Sequence, residues 1–201
     1  MRKMRTCKFP QSFALFLILL VLVLPVGLSA QNFSLKSFVG TVQGTSNVRD
    51  WKSSINTITC KGTIVASGNK LEAAKNVELK ILVESIKGTE GKAMDLKTYE
   101  AFRYKEHPYI TYTFSSSQIT TDTDNNLTIS PSGNLTMGGV KRQTVFNVKG
   151  KKLPNGDLEV NITKKLDLGD FNIEPPTAYL GAVKVDEEIV LTLKLILTFN
   201  K

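Results

Sequence analysis

The chain has 201 residues, room for one domain of ordinary size once a leader is set aside. Its formal charge is +8, but Arg2, Lys3, Arg5 and Lys8 supply half of it, and the rest of the chain carries +4 in a mixed pattern. No basic block interleaves with aromatics, which excludes an ordinary nucleic-acid surface; and after the leader Cys60 stands alone, which excludes an internal disulfide.

Residues 1–30 read as a cleaved secretory signal peptide. A positive start is followed by an apolar run from Phe13 to Leu24 and by the small-residue end Leu28-Ser29-Ala30. The run falls short of the roughly 18–20 apolar residues that span a bilayer. Gln31 follows, where a lipoprotein has cysteine. The expected organisation is a signal peptide over 1–30 and a single domain over 31–201. A periplasmic or secreted location follows from it.

From Phe33 to Gly44 the chain reads as extended, and Gly44-Thr45-Ser46-Asn47 is a turn-rich break before Trp51. Ile58 to Val65 forms a second strand region, in which Cys60 shares a face with Ile58 and reads as a buried apolar residue. Val77, Leu79, Ile81 and Val83 alternate with Glu78, Lys80, Leu82 and Glu84, a strand with one largely wet face. Then the period changes. Leu96, Tyr99 and Phe102 recur at helical spacing, with Asp95 as the expected N-cap and Pro108 as the stop. Directly afterwards Ile110, Tyr112 and Phe114 alternate with threonines, so a short helix feeds a half-buried strand.

The remainder is strand and turn. Residues 120–126 make a polar hairpin tip. Leu127–Ile129, Leu135–Met137 and the face Thr144, Phe146, Val148 are short strands; Gly138-Gly139 reads as a bend. Pro154-Asn155-Gly156-Asp157 is a turn, Leu158 to Leu168 a strand, and Pro175-Pro176 breaks any ladder. The clearest strand is the last: Leu191, Leu193, Leu195, Leu197 and Phe199 lie on one face. Mostly antiparallel strands with frequent turns imply a barrel or a sandwich.

Reactive chemistry is thinly represented. His107, the only histidine, sits at the helix-to-strand junction with no nucleophile elbow elsewhere. One histidine and one cysteine cannot make a typical zinc set. Asp122 and Asp124 lie on a hairpin tip, where carboxylates are ordinarily solvated.

Four segments together carry a family resemblance. Ser37 through Trp51, with Gly44-Thr45-Ser46 and Asp50-Trp51, resembles the opening strand of YceI-like proteins. Met94-Asp95-Leu96-Lys97 through Pro108-Tyr109-Ile110-Thr111-Tyr112 is similar to that family's helix and its Pro-x-Ile-Thr-Phe strand. Gly133-Asn134-Leu135-Thr136-Met137-Gly138-Gly139-Val140 resembles its Gly-x-Leu-Thr-x-x-Gly-Val segment. Phe171-Asn172-Ile173 and Asp186-Glu187-Glu188 lie where the family has a Phe-Gly-Ile-like piece and its terminal strand. Three positions depart: Arg49 stands where a histidine is common, Tyr112 where phenylalanine is usual, and Asn172 where glycine is usual.

The resemblance implies an all-β fold, an extended lipocalin-like antiparallel barrel of about eight strands with one short helix near its mouth. It also implies a bacterial, non-catalytic carrier that holds a polyprenyl or quinone tail inside the barrel. The residues expected to line that interior are Phe38, Trp51, Leu79, Ile81, Phe102, Ile110, Tyr112, Phe114, Phe146 and Phe171. A one-residue slip of register would exchange the two faces of each strand. No catalytic or metal residues are expected, and no cofactor beyond a bound isoprenoid lipid or quinone. Transient contact with a membrane surface and a homodimer stay open. The competing readings are an interaction module with a filled barrel and a lipid-modifying enzyme. The first predicts no cavity, the second convergent polar groups inside.

Overall fold

The last strand shows how the wall is built. Ile189, Leu191, Leu193, Leu195 and Leu197 are all buried, while the residues between them are exposed or half-buried. A period of two on a pleated strand puts one set inward and the other out. In the computed structural model, which describes residues 28–178 and 181–199, that strand pairs on both sides along most of its length.

The elements run β1 (Leu28–Ser46), β2 (Trp51–Ile55), β3 (Ile58–Ser67), β4 (Lys70–Leu82), β5 (Ile86–Gly88) and α1 (Lys92–Ala101). After the helix come β6 (Tyr109–Thr121), β7 (Asn126–Ile129), β8 (Ser132–Met137), β9 (Val140–Val145) and β10 (Val148–Lys152). β11 (Leu158–Asp167), β12 (Thr177–Ala178) and β13 (Val183–Phe199) complete the chain. Eight of these strands close on themselves in the order β1, β3, β4, β6, β7, β10, β11, β13 and back to β1. Every neighbouring pair in the ring is antiparallel. Closure leaves these eight strands without a free edge over their paired lengths.

The other strands are appendages. β2 and β5 extend the wall beside β1, and the β8–β9 hairpin extends it beside β6. Met137 pairs with Val140 across Gly138 (φ 51) and Gly139 (φ 83), a two-residue turn with both central residues left-handed. Two bulges bend β1, one of them setting Lys36 out of register so that its ammonium reaches Asp157, 2.7 Å away, across the far end.

The helix differs from its sequence reading at both ends. It begins at Lys92, with Gly91 before it at φ 89. Asp95 is therefore inside the first turn. Its Oδ1 accepts from the Gly88 amide at 2.8 Å, tying the helix to β5 instead of capping it. The helix ends at Ala101, well before Pro108, because Arg103 turns left-handed at φ 55. The buried face is Asp95, Tyr99 and Phe102, whereas Leu96 is 46% exposed.

The expected signal peptide lies almost wholly outside the described residues. Its last three residues, Leu28–Ala30, pair with Ser67, Ala66 and Val65 of β3. No described helix is long and apolar enough to cross a membrane.

Candidate functional site

Inward-facing residues do not meet in the middle. They enclose a cavity of about 650 Å³ whose wall takes side chains from all eight ring strands. Phe33 and Val42 come from β1, Ile64 from β3, Ala74 and Leu79 from β4, and Ile110 and Phe114 from β6. Ile129, Val148, Val160 and the run Ile189 to Leu197 continue it around β7, β10, β11 and β13. A volume of this size falls in the range of about 300–1,000 Å³ typical of small-molecule sites.

Polar groups within the wall are few. The Tyr112 hydroxyl lies 2.9 Å from the Pro131 carbonyl and 3.1 Å from that of Thr144, and burial pushes its pKa up to about 12. The Cys60 thiol is buried in the same wall and is likewise pushed up to about 12 by burial. A thiol so rarely ionised is a poor nucleophile. Gly133 is needed beside Tyr112: a Cβ there would lie 2.5 Å from the Thr113 carbonyl oxygen and 2.7 Å from the Tyr112 ring.

The cavity reaches the surface at one end. Lining residues come from 46–53, 88–98, 176 and 183–185, all at the end where β1 finishes and β13 begins. The turns at the other end, 68–69, 122–125 and 153–157, contribute none. Helix α1 forms one side of this mouth through Ala93, Met94, Lys97 and Thr98. Three ties hold the rim together. Asn47 donates from Nδ2 to the Ala182 carbonyl at 2.9 Å and accepts from the Lys184 amide at 2.8 Å. Lys97 Nζ donates to the Thr177 carbonyl at 2.7 Å. Arg49 forms an ion pair with Glu90, linking the β1–β2 loop to the segment before α1.

The remaining charged wall residues, Lys52 and Asp95, also belong to the rim. A greasy interior with its charges confined to one opening suits a ligand that is apolar for most of its length. Among the described residues no group of three or more metal-ligating side chains comes together. Asp122 on the hairpin tip is engaged by its own turn, accepting from Asp124 N and Asn126 N, both at 2.9 Å.

A family model described as the YceI-like domain matches residues 28–197. The chain belongs to the YceI-like family. Solved structures share the fold at low identity. The YceI-like chain matches a polyisoprenoid binding domain from Saccharophagus degradans, implicated in plant cell wall breakdown, with TM-score 0.61 and 12% identity, covering 84% of this chain and 98% of that one. It matches Burkholderia cenocepacia BcnA with TM-score 0.57 and 15% identity, covering 79% and 95%. A mutant CJ YCEI protein gives TM-score 0.55 and 18% identity, covering 74% and 84%. Comparison with curated proteins finds no significant match.

Eight of the ten residues expected at the interior of this YceI-like barrel lie on the cavity wall: Trp51, Leu79, Ile81, Phe102, Ile110, Tyr112, Phe114 and Phe146. Phe38 and Phe171 do not. Phe38 pairs with Leu195 and packs against the core beside the β1 bulge, half-buried and off the cavity. Phe171 ends a 3-10 turn over Gly169–Phe171 and is buried outside the cavity lining, in a segment held to β9 by Arg142 Nε donating to the Asp170 carbonyl at 2.8 Å. Seven of the ten expected residues are aromatic, whereas much of the observed wall is aliphatic. Leu191, Leu193, Leu195 and Leu197 were detectable by their alternation alone. Ile64, Ala74 and Val160 needed the closed ring to show that their faces share one interior.

Proposed function

We propose that this protein is a non-catalytic carrier that shelters the long apolar tail of an isoprenoid-type lipid inside its barrel. The observation that carries the reading is the apolar cavity, walled by all eight ring strands and open at one charged rim. Membership of the YceI-like family supports it, as does the likeness in fold to a polyisoprenoid binding domain. A polyprenyl or quinone tail fits the lining.

Magnitudes agree. Burying a CH₂-sized group contributes about 0.8 kcal/mol, so a five-carbon isoprene unit contributes about 4 kcal/mol gross. Association costs about 4–15 kcal/mol. Burial of two to four units, roughly, therefore suffices without polar recognition deep in the barrel. The polar groups there, Tyr112 and Cys60, offer no convergent acid, base or nucleophile, which supports carriage over catalysis. The interaction module with a filled barrel is disfavoured by the empty volume itself. Export to the periplasm or beyond rests on the basic-then-apolar leader, and transient contact of the rim with a membrane would give a lipid its way in.

The test is solvent extraction of the purified protein followed by mass spectrometry, with added polyprenols in parallel. A co-purifying isoprenoid lipid, or saturable binding of an added one, is expected. Finding neither a co-purifying lipid nor saturable binding would sink the proposal.

A further inference from the structure

We infer that the outer side of the rim, around Arg49, is a subsite for an uncharged hydroxyl-bearing head group. The hydroxyl inserts between Arg49 and Glu90. This rests on the carrier reading and adds the polar end of the ligand to it.

A second pocket of about 480 Å³ adjoins the main cavity on the outside of the rim. The two share Arg49, Trp51, Lys52, Thr89 and Glu90. The surroundings change across that boundary. Inside, the wall is aliphatic and aromatic; outside, Asp50 and Glu188 join the shared charges. Such a change matches an amphiphile with its tail in the barrel and its head on the lip. Trp51 spans the step, with an apolar ring and an indole N–H that donates to the Thr45 carbonyl at 3.0 Å.

The Arg49–Glu90 pair is built to yield. Its side chains are 65% and 38% exposed, and water screens an exposed pair so that it contributes little to stability. The Arg49 backbone, in contrast, is fixed. Its carbonyl accepts from Ser46 N at 3.1 Å and Ser46 Oγ at 2.7 Å, and its amide donates to Ser46 Oγ at 3.1 Å. Only the side chain has to move.

The class of head group follows from the charges. Arg49 donates only and ionised Glu90 accepts only. A hydroxyl placed between them accepts from the first and donates to the second, so both stay satisfied. Glu188 is already paired with Lys165 at 2.8 Å, which leaves two carboxylates, Asp50 and Glu90, against two cations, Arg49 and Lys52. No excess positive charge remains to neutralise a phosphate, and an uncharged head needs none.

Trp51 is the only tryptophan in the chain and lines the cavity, so its fluorescence reports loading. The full chain and its Arg49→Met variant are titrated with three probes of equal chain length: a polyprenol, the headless isoprenoid hydrocarbon and a polyprenyl phosphate. Circular dichroism and a thermal melt check that the variant folds. In the wild type the polyprenol should bind about tenfold tighter than the hydrocarbon, the scale of one hydrogen bond to a charged group. Arg49→Met should erase that difference, so that the variant binds the polyprenol no more tightly than it binds the hydrocarbon. Equal wild-type affinities, a variant that weakens both probes alike, or a phosphate that binds tightest overturns the inference while the carrier reading stands. Failure of all three probes to bind the wild type removes the carrier reading and the inference with it.

Discussion

Gly133 packs directly against Tyr112, and a side chain at Gly133 has no room. At Gly133 the nearest obstacle is backbone, which cannot rotate away. Gly133→Ala should lower unfolding free energy by about 1–3 kcal/mol, the usual cost of overpacking, as read by chemical denaturation. Tyr112 and Cys60 bear on pH. Both keep their protons longer in the fold than in the unfolded chain, since burial lifts each to about 12. Above about pH 9 the unfolded chain therefore holds fewer protons than the native one, and stability falls as pH rises. The loss continues towards the folded values near pH 12 at a slope of at most about 1.4 kcal/mol per pH unit for each group. Denaturation midpoints of Cys60→Ala and Tyr112→Phe measured from pH 8 to 11 should each show a shallower decline than the parent. Native Cys60 should also resist alkylation at pH 8 and react once unfolded. Readily labelled native protein would contradict its placement in the wall.

Helix α1 is short, and its packing depends on one carboxylate. Asp95 accepts from Gly88 N and lies 3.9 Å from Lys87 Nζ, while the Tyr99 hydroxyl donates to the Ile86 carbonyl at 2.8 Å. Together they pin α1 to β5 at the mouth. Asp95→Ala leaves the Gly88 amide without its partner, a loss of about 1–3 kcal/mol. At about 2–4 °C per kcal/mol for a chain of this size, a clear drop in melting temperature is expected. An unchanged melt would mean that the helix is held by its apolar contacts alone. The period change at residues 96–114 made this element legible, but not its ends. Asp95 and Pro108 are both plausible boundary residues. The competing demands of the Gly88 amide and the left-handed Arg103 decided the matter, and both depend on how the helix docks.

The whole molecule is a closed ring around a space, and its behaviour with ligand follows from that. A lipid that binds only the folded state adds about 2.7 kcal/mol of stability at a hundred times its dissociation constant. Saturation with polyprenol should thus raise the melting temperature by several degrees. Ala74 is buried in β4 and lines the cavity, so Ala74→Phe places a ring in the space where the proposed tail would lie. Excluding two CH₂-sized groups corresponds to about 1.6 kcal/mol, or roughly a fifteenfold weaker complex. The native circular dichroism spectrum should persist. Undiminished polyprenol binding by Ala74→Phe would place the ligand elsewhere than in the barrel.

What this sequence determined by itself was local and periodic. Alternation from Leu191 to Phe199, the helical step from Leu96 to Phe102, the Gly138-Gly139 pair and the prolines announced strands, one helix and their turns, because side-chain direction along a strand or helix depends only on spacing. Tertiary structure decided which of those faces share one interior. Phe38 and Phe171 look like cavity residues in the sequence and are not, whereas Ile64, Ala74 and Val160 look ordinary and are. The reason is closure: a strand's inward face acquires a cavity only when β13 meets β1, a pairing between residues more than 130 positions apart.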